Sequence, residues 1–172
     1  MLFRSLPVAV PDRIQRLIVM NTAFGVGESP SPGFIAWRDY MAKTHDPMSG
    51  SIIRRGTPHL TDAEAAAYDA PFPDQTFKAG VRRFPALVPI SADMDGVAVS
   101  KAARDWWSTA FAGPSFMAVG MKDPVLGPAV MTALRAHIRG CPAPFEVAQG
   151  GHFVQEWGEE IANAALAHFK SR

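Results

Sequence analysis

The sequence predicts an α/β fold: three parallel strands forming the C-terminal part of a larger sheet, with a helical cap inserted after the first strand. Three observations carry this. Leu17-Ile18-Val19-Met20 is a continuous apolar run, the signature of a parallel strand buried on both faces. Two further short apolar strands, over 116–121 and 144–148, bracket a helix-period segment from Pro128 to Ile138. Between the first strand and the second, residues 33–109 change character to short helices separated by prolines.

Each element has its own warrant. Residues 1–16 read as the end of a preceding element, in which Leu6, Val8 and Val10 lead to Pro11-Asp12-Arg13 and Pro11 can open one helical turn. A four-residue buried strand needs neighbours on both sides, and upstream of Leu17 the sequence offers none. Residues 21–33 form a loop rich in Gly, Ser and Pro. From Phe34 to Lys43 the large residues Phe34, Trp37 and Met41 recur at helical spacing. Thr61-Asp62-Ala63-Glu64 is a capping box, in which hydroxyl and carboxylate each satisfy an orphan N–H at a helix start. Phe77 to Phe84, with Pro85 as its stop, and Val97 to Trp107 make two more helices. This excursion should lie as a lid over the strand ends, dividing the chain into a partial core (1–32 and 110–172) and a cap (33–109). Glu159 to Phe169 closes the chain as an amphipathic helix, with Ile161, Ala165, Leu166 and Phe169 on one face.

Composition narrows the functional classes. A chain of 172 residues is long enough for one domain with a core. Its 17 basic and 16 acidic residues leave a net charge of +1, and the basic side chains are scattered apart from Arg54-Arg55 and Arg82-Arg83. That pattern argues against a nucleic-acid partner. The single cysteine, Cys141, rules out an internal disulfide and fits a reducing compartment. Residues 1–13 do not read as a signal peptide, because Pro7 and Pro11 break a short apolar run. No apolar run approaches the ~20 residues of a membrane span. A cytoplasmic protein without a membrane partner is expected.

Chemistry concentrates at the strand ends. Asp123 follows the second strand and His152 the third, so parallel topology points both into one crevice beyond the carboxyl ends. A carboxylate on a His Nδ1–H fixes the tautomer and leaves Nε2 as a general base. Strand–acid–helix–strand–His is the late half of an α/β-hydrolase site. The nucleophile elbow of such a site, Gly-x-Ser-x-Gly or its Asp or Cys variant, occurs nowhere in the chain. Gly25-Val26-Gly27-Glu28-Ser29 comes nearest but opens no helix, so Ser29 is rejected. Trp37 can donate an indole N–H to an anion in an apolar pocket, or can pack for area alone. Trp106, Trp107 and Trp157 read as packing residues, Cys141 as a buried thiol, and Phe34, Phe84, Val88 and Leu126 as core or pocket lining. His45, His59, His137 and His168 lack metal-ligand spacing, and no metal or cofactor is called for.

With these residues in view, the chain resembles haloalkane dehalogenases of the α/β-hydrolase superfamily, in particular the branch that accepts small dichloroalkanes. The resemblance is carried by GFIAW (33–37), LTDAEAAAYDAPFPD (60–74), AGVRRFP (79–85), FMAVGMKDPVLGP (116–128) and GGHFVQEWGE (150–159). It runs from about Leu6 to the end and covers the C-terminal half or so of a full-length family member. It implies that an aspartate displaces halide and that a His-activated water then hydrolyses the alkyl ester. Asp123 would be the acid, His152 the water-activating base and Trp37 the lid tryptophan that holds the leaving halide. Phe34, Phe84, Val88 and Leu126 would line the pocket for a small haloalkane. Another branch carries its acid just after the strand that here ends in Met20; Asn21 and Thr22 stand there instead, which supports Asp123.

The departure from the family is equally specific. Nucleophile, second halide-binding tryptophan and oxyanion-hole donor belong to the half that the resemblance does not cover. The first residues would lie inside the helix that follows the elbow. The expectation is a truncated chain that does not dehalogenate alone and that self-associates through an exposed sheet edge. An epoxide hydrolase or other α/β-hydrolase is the alternative, with Tyr40 and Tyr68 as candidate epoxide-protonating groups, and a non-catalytic remnant or association module is a third.

Overall fold

The computed structural model describes residues 2–170. Its centre is one sheet of three parallel strands, β1 (Leu17–Met20), β2 (Ser115–Gly120) and β3 (Phe145–Val147), in the spatial order β1-β2-β3. Leu17 pairs with Ser115 and Met20 with Ala118; Ala118 pairs in turn with Phe145 and Gly120 with Val147. All three strands therefore end at one edge, as parallel pairing requires.

Helices cover the two faces. α1 (Leu2–Ala9) precedes a 3₁₀ turn at Pro11–Arg13 and packs against α6 (Val97–Thr109). Four short helices separate β1 from α6: α2 (Pro32–Lys43), α3 (Ser49–Arg55), α4 (Asp62–Asp69) and α5 (Ala79–Arg83). α7 (Pro128–Ala136) connects β2 to β3, and α8 (Gly158–Lys170) closes the described chain. α6 turns Val97, Ser100, Ala103 and Trp107 inward, a stripe at three- and four-residue spacing. Ala103 and Trp107 join Leu17, Val19, Met117 and Val119 of the sheet and Met131 and Leu134 of α7 in one core cluster. The opposite face of the sheet packs Phe116, Ala118 and Val147 against Ile161 and Ala165 of α8.

β1 departs from its expected burial on both faces. Leu17 and Val19 are buried, but Ile18 is 50% exposed, whereas all six residues of β2 are buried. The reason is position. β2 has a strand on each side and helices above and below, while β1 is the edge strand, and Ile18 lies on the α8 side beyond the residues that α8 covers.

Several element ends shift by one or two residues from the sequence reading, and two of these differences have a clear local cause. α2 begins two residues earlier because Ser31 caps it, its hydroxyl accepting from Phe34 N–H at 3.3 Å, with Pro32 in the first turn. Pro85 does not stop the chain turning; it sits inside a 3₁₀ turn, Phe84–Leu87, that continues α5. The capping box forms as expected, with Thr61 and Glu64 exchanging bonds at 2.8 and 3.3 Å. Among the described residues no helix is long and apolar enough to cross a membrane.

Candidate active site

β2 ends on Gly120, and the chain then turns through Met121 and Lys122 to Asp123. The turn is tied to the loop after β3 by backbone bonds from Met121 to Val147 (3.1 Å) and from Lys122 to Gly150 (2.8 Å). The two loops touch so closely that a Cβ on Gly120 would lie 2.4 Å from the Gly151 carbonyl oxygen. Only glycine allows this approach, which sets Asp123 and His152 facing each other.

Asp123 is buried, with four hydrogen bonds to its carboxylate. Oδ1 accepts from the backbone N–H of Val125 (2.8 Å) and Leu126 (3.0 Å), an Asx-type turn just before α7. Oδ2 lies 2.8 Å from His152 Nδ1 and accepts from Asn21 Nδ2 at 2.8 Å. Burial works against the charge. The bonds from His152, Asn21, Leu126 and Val125 outweigh it and hold the carboxyl down at about 2, below its ordinary 3.8. The carboxylate is thus an anion at neutral pH, and it fixes the Nδ1–H tautomer of His152. The imidazole is 41% exposed by side-chain area, so it is open to solvent at the strand ends while Nδ1 faces the carboxylate. The arrangement can take a proton from water at Nε2 and stabilise the resulting imidazolium.

The remaining expected site residues lie on the helical excursion and the acid loop. A Cβ on Gly33 would touch the Val125 side chain at 3.5 Å, so the start of α2 meets the acid loop. Trp37 follows about one turn later, 36% exposed, its ring 5.7 Å from that of Phe34 and tilted against it. Arg38 donates to the carbonyls of Val88 (3.4 Å) and Ala86 (3.5 Å), tying α2 to the segment that carries Phe84 and Val88. Phe84 is 47% exposed and Phe34, Val88 and Leu126 are half-buried. Two open depressions, of about 380 Å³ beside Phe111 and Arg139 and about 520 Å³ between Arg38, His45 and Arg82, touch neither Asp123, His152 nor Trp37.

α3 and α4 press on the His152 loop. A Cβ on Gly151 would lie 2.4 Å from the Gly56 carbonyl oxygen, and Gly56 also meets the Phe153 ring. Tyr68 donates to the Glu156 carboxylate, which pushes the phenol up from its ordinary range. His59 packs edge-on against Trp157, with its Nε2 3.1 Å from the Glu156 carbonyl. Cys141 is buried in the core, and burial raises its thiol.

The contact that Asn21 makes is not foreseen from the sequence, where it is only the residue standing where another branch has an acid. The signal was available: an Asn directly after a buried strand, at the same edge as Asp123, is a polar side chain that must find a partner there.

Comparison with known proteins bears on the fold and the family. No family model matches the chain. Haloalkane dehalogenase 1 of Mycobacterium tuberculosis is 38% identical over 162 residues, covering 91% of this chain and 53% of its own length. The haloalkane dehalogenase of Psychrobacter cryohalolentis is 34% identical over 88% of this chain and 51% of its own. Among solved structures, the tetrameric haloalkane dehalogenase DpaA from Paraglaciecola agarilytica superposes with a TM-score of 0.91 at 40% identity, over 95% of this chain and 55% of that one. DbeA from Bradyrhizobium elkani, at 20% identity and TM-score 0.71, shares the fold. The chain is thus related to the C-terminal part of haloalkane dehalogenases and spans about half the length of the relatives it matches.

Proposed function

We propose that this chain supplies the acid–base pair and part of the halide site of a hydrolase that cleaves carbon–halogen bonds in small haloalkanes. The observation that carries this reading is the 2.8 Å contact between His152 Nδ1 and buried Asp123, at the ends of adjacent parallel strands. An aspartate nucleophile would displace halide and form an alkyl ester. His152, held by Asp123, would take a proton from the water that attacks the ester, and the reaction would end as alcohol, halide and a proton. Trp37 would donate its indole N–H to the departing halide, and Phe34, Phe84, Val88 and Leu126 would exclude water around the alkyl chain. In this reading residues 33–109 act as the cap, residues 1–32 and 110–172 as part of the core, and the protein works in the cytoplasm. Tyr68 is engaged by Glu156 and its phenol is raised, which favours halide chemistry over epoxide opening.

The chain contains no Gly-x-Asp-x-Gly elbow, so the nucleophile must come from elsewhere. The test is halide release from 1,2-dibromoethane by the 172-residue chain and by a longer polypeptide carrying such an elbow ahead of residue 1. The longer protein should release bromide and lose at least about 10³-fold in activity on His152→Gln, and the chain alone should release none. Bromide release by the chain alone, or an indifferent His152→Gln variant in the longer one, would defeat the proposal.

The edge strand supports a second proposal, self-association. Among the described residues β1 is paired on one side only, and Ile18 is half exposed on it. Elution volume on gel filtration should fall with rising protein concentration, and Ile18→Asn should abolish that trend.

A further inference from the structure

We infer that Asn21 is a positioning residue for the Asp123–His152 pair: its amide fills the last acceptor position of the Asp123 carboxylate and locks the pair to the end of β1. A carboxylate offers about four lone-pair sites. Here Val125 and Leu126 take two on Oδ1, His152 one on Oδ2, and Asn21 Nδ2 the fourth, at 2.8 Å. No site is left for a water or a second proton, so Asp123 stays ionised and the shared proton stays on Nδ1.

The other half of the amide explains why the residue is held so firmly. Asn21 Oδ1 accepts from Gly120 N–H at 2.8 Å, at the residue where β2 ends. Asn21 itself is buried, with φ at 27°, in the left-handed region that asparagine tolerates better than most residues. One side chain therefore joins the ends of β1 and β2 to the acid. A neutral amide does this without the repulsion a second carboxylate would bring to a buried anion.

The inference deepens the proposed function and rests on it only in treating His152 as the base. Its test uses no haloalkane, so the two can fail separately. In the 172-residue chain, the carboxyl ¹³C resonance of Asp123 is followed from pH 6 to pH 1 in the parent and in Asn21→Gly, which keeps the positive φ and removes the amide. Losing one of four donors should raise the titration midpoint by about one unit, a tenfold change in proton affinity. Asn21→Ala gives the same reading if the glycine variant fails to fold. A merely structural cross-link would lower thermal stability and leave the midpoint in place. An unmoved or lowered midpoint overturns the inference.

Discussion

The two ends of the candidate site are built differently. At the acid–imidazole end Asp123 is buried under four hydrogen bonds drawn from three segments: its own turn, the loop after β3 and the end of β1. At the indole end Trp37 rests against Phe34 on a short helix, a third of its surface in solvent. A buried carboxylate must be satisfied or it costs several kcal/mol, so its surroundings are fixed wherever the strands pair. An indole N–H at the surface is satisfied by water and needs no fixed partner. The acid end is therefore fixed within this chain, while the proposed indole end keeps a solvent-facing ring.

That contrast can be broken by substitution. Asp123→Leu should have the largest effect, because it strands the buried Asn21 amide and two backbone N–H groups and takes the partner of His152 Nδ1 away. About 3 kcal/mol of stability should be lost in urea denaturation at pH 7. A loss below ~1 kcal/mol would mean that the acid end is as loosely built as the indole end.

pH sharpens the same comparison at a smaller scale. The Asp123 carboxyl lies at about 2 in the folded chain against an ordinary 3.8. A group lowered on folding adds stability above its unfolded value, and the stability is lost as pH falls through the folded one. The window is therefore pH 4 to 2, and the contribution is about 2 kcal/mol. The stability gap between the parent and Asp123→Asn should narrow over that window. A gap that stays constant from pH 7 to 2.5 would contradict the hydrogen-bond account. Smallest of all, Trp37→Phe should change stability by less than about 0.5 kcal/mol. The same variant should weaken quenching of tryptophan fluorescence by bromide; unchanged quenching would remove Trp37 from the halide site.

The sequence exposed the acid end well and the rest unevenly. β1 and β2 were legible as apolar runs, and Asp123 and His152 as polar residues directly after strands. The missing second neighbour of β1 was legible, but the exposure of Ile18 was not, because an apolar run does not show how far the helix on that face reaches. The stacking of Gly120 on Gly151 was equally hidden, since it depends on the end of β2 meeting a loop 31 positions later. Asn21 was visible as a residue but not as a ligand of the carboxylate, for its partner lies 102 positions away.

That separation also orders the assembly of the site in time. His152 reaches Asp123 across 29 positions, through one helix and one strand pairing, whereas Asn21 reaches it across 102. Closing the longer loop costs about 1 kcal/mol more in chain entropy, and long-range pairings are generally the slow ones to form. The α7–β3 unit can therefore bring acid and base together first, and the edge strand arrives later with the amide that completes the carboxylate's shell. A nascent pair would spend that interval with one carboxylate site open to water.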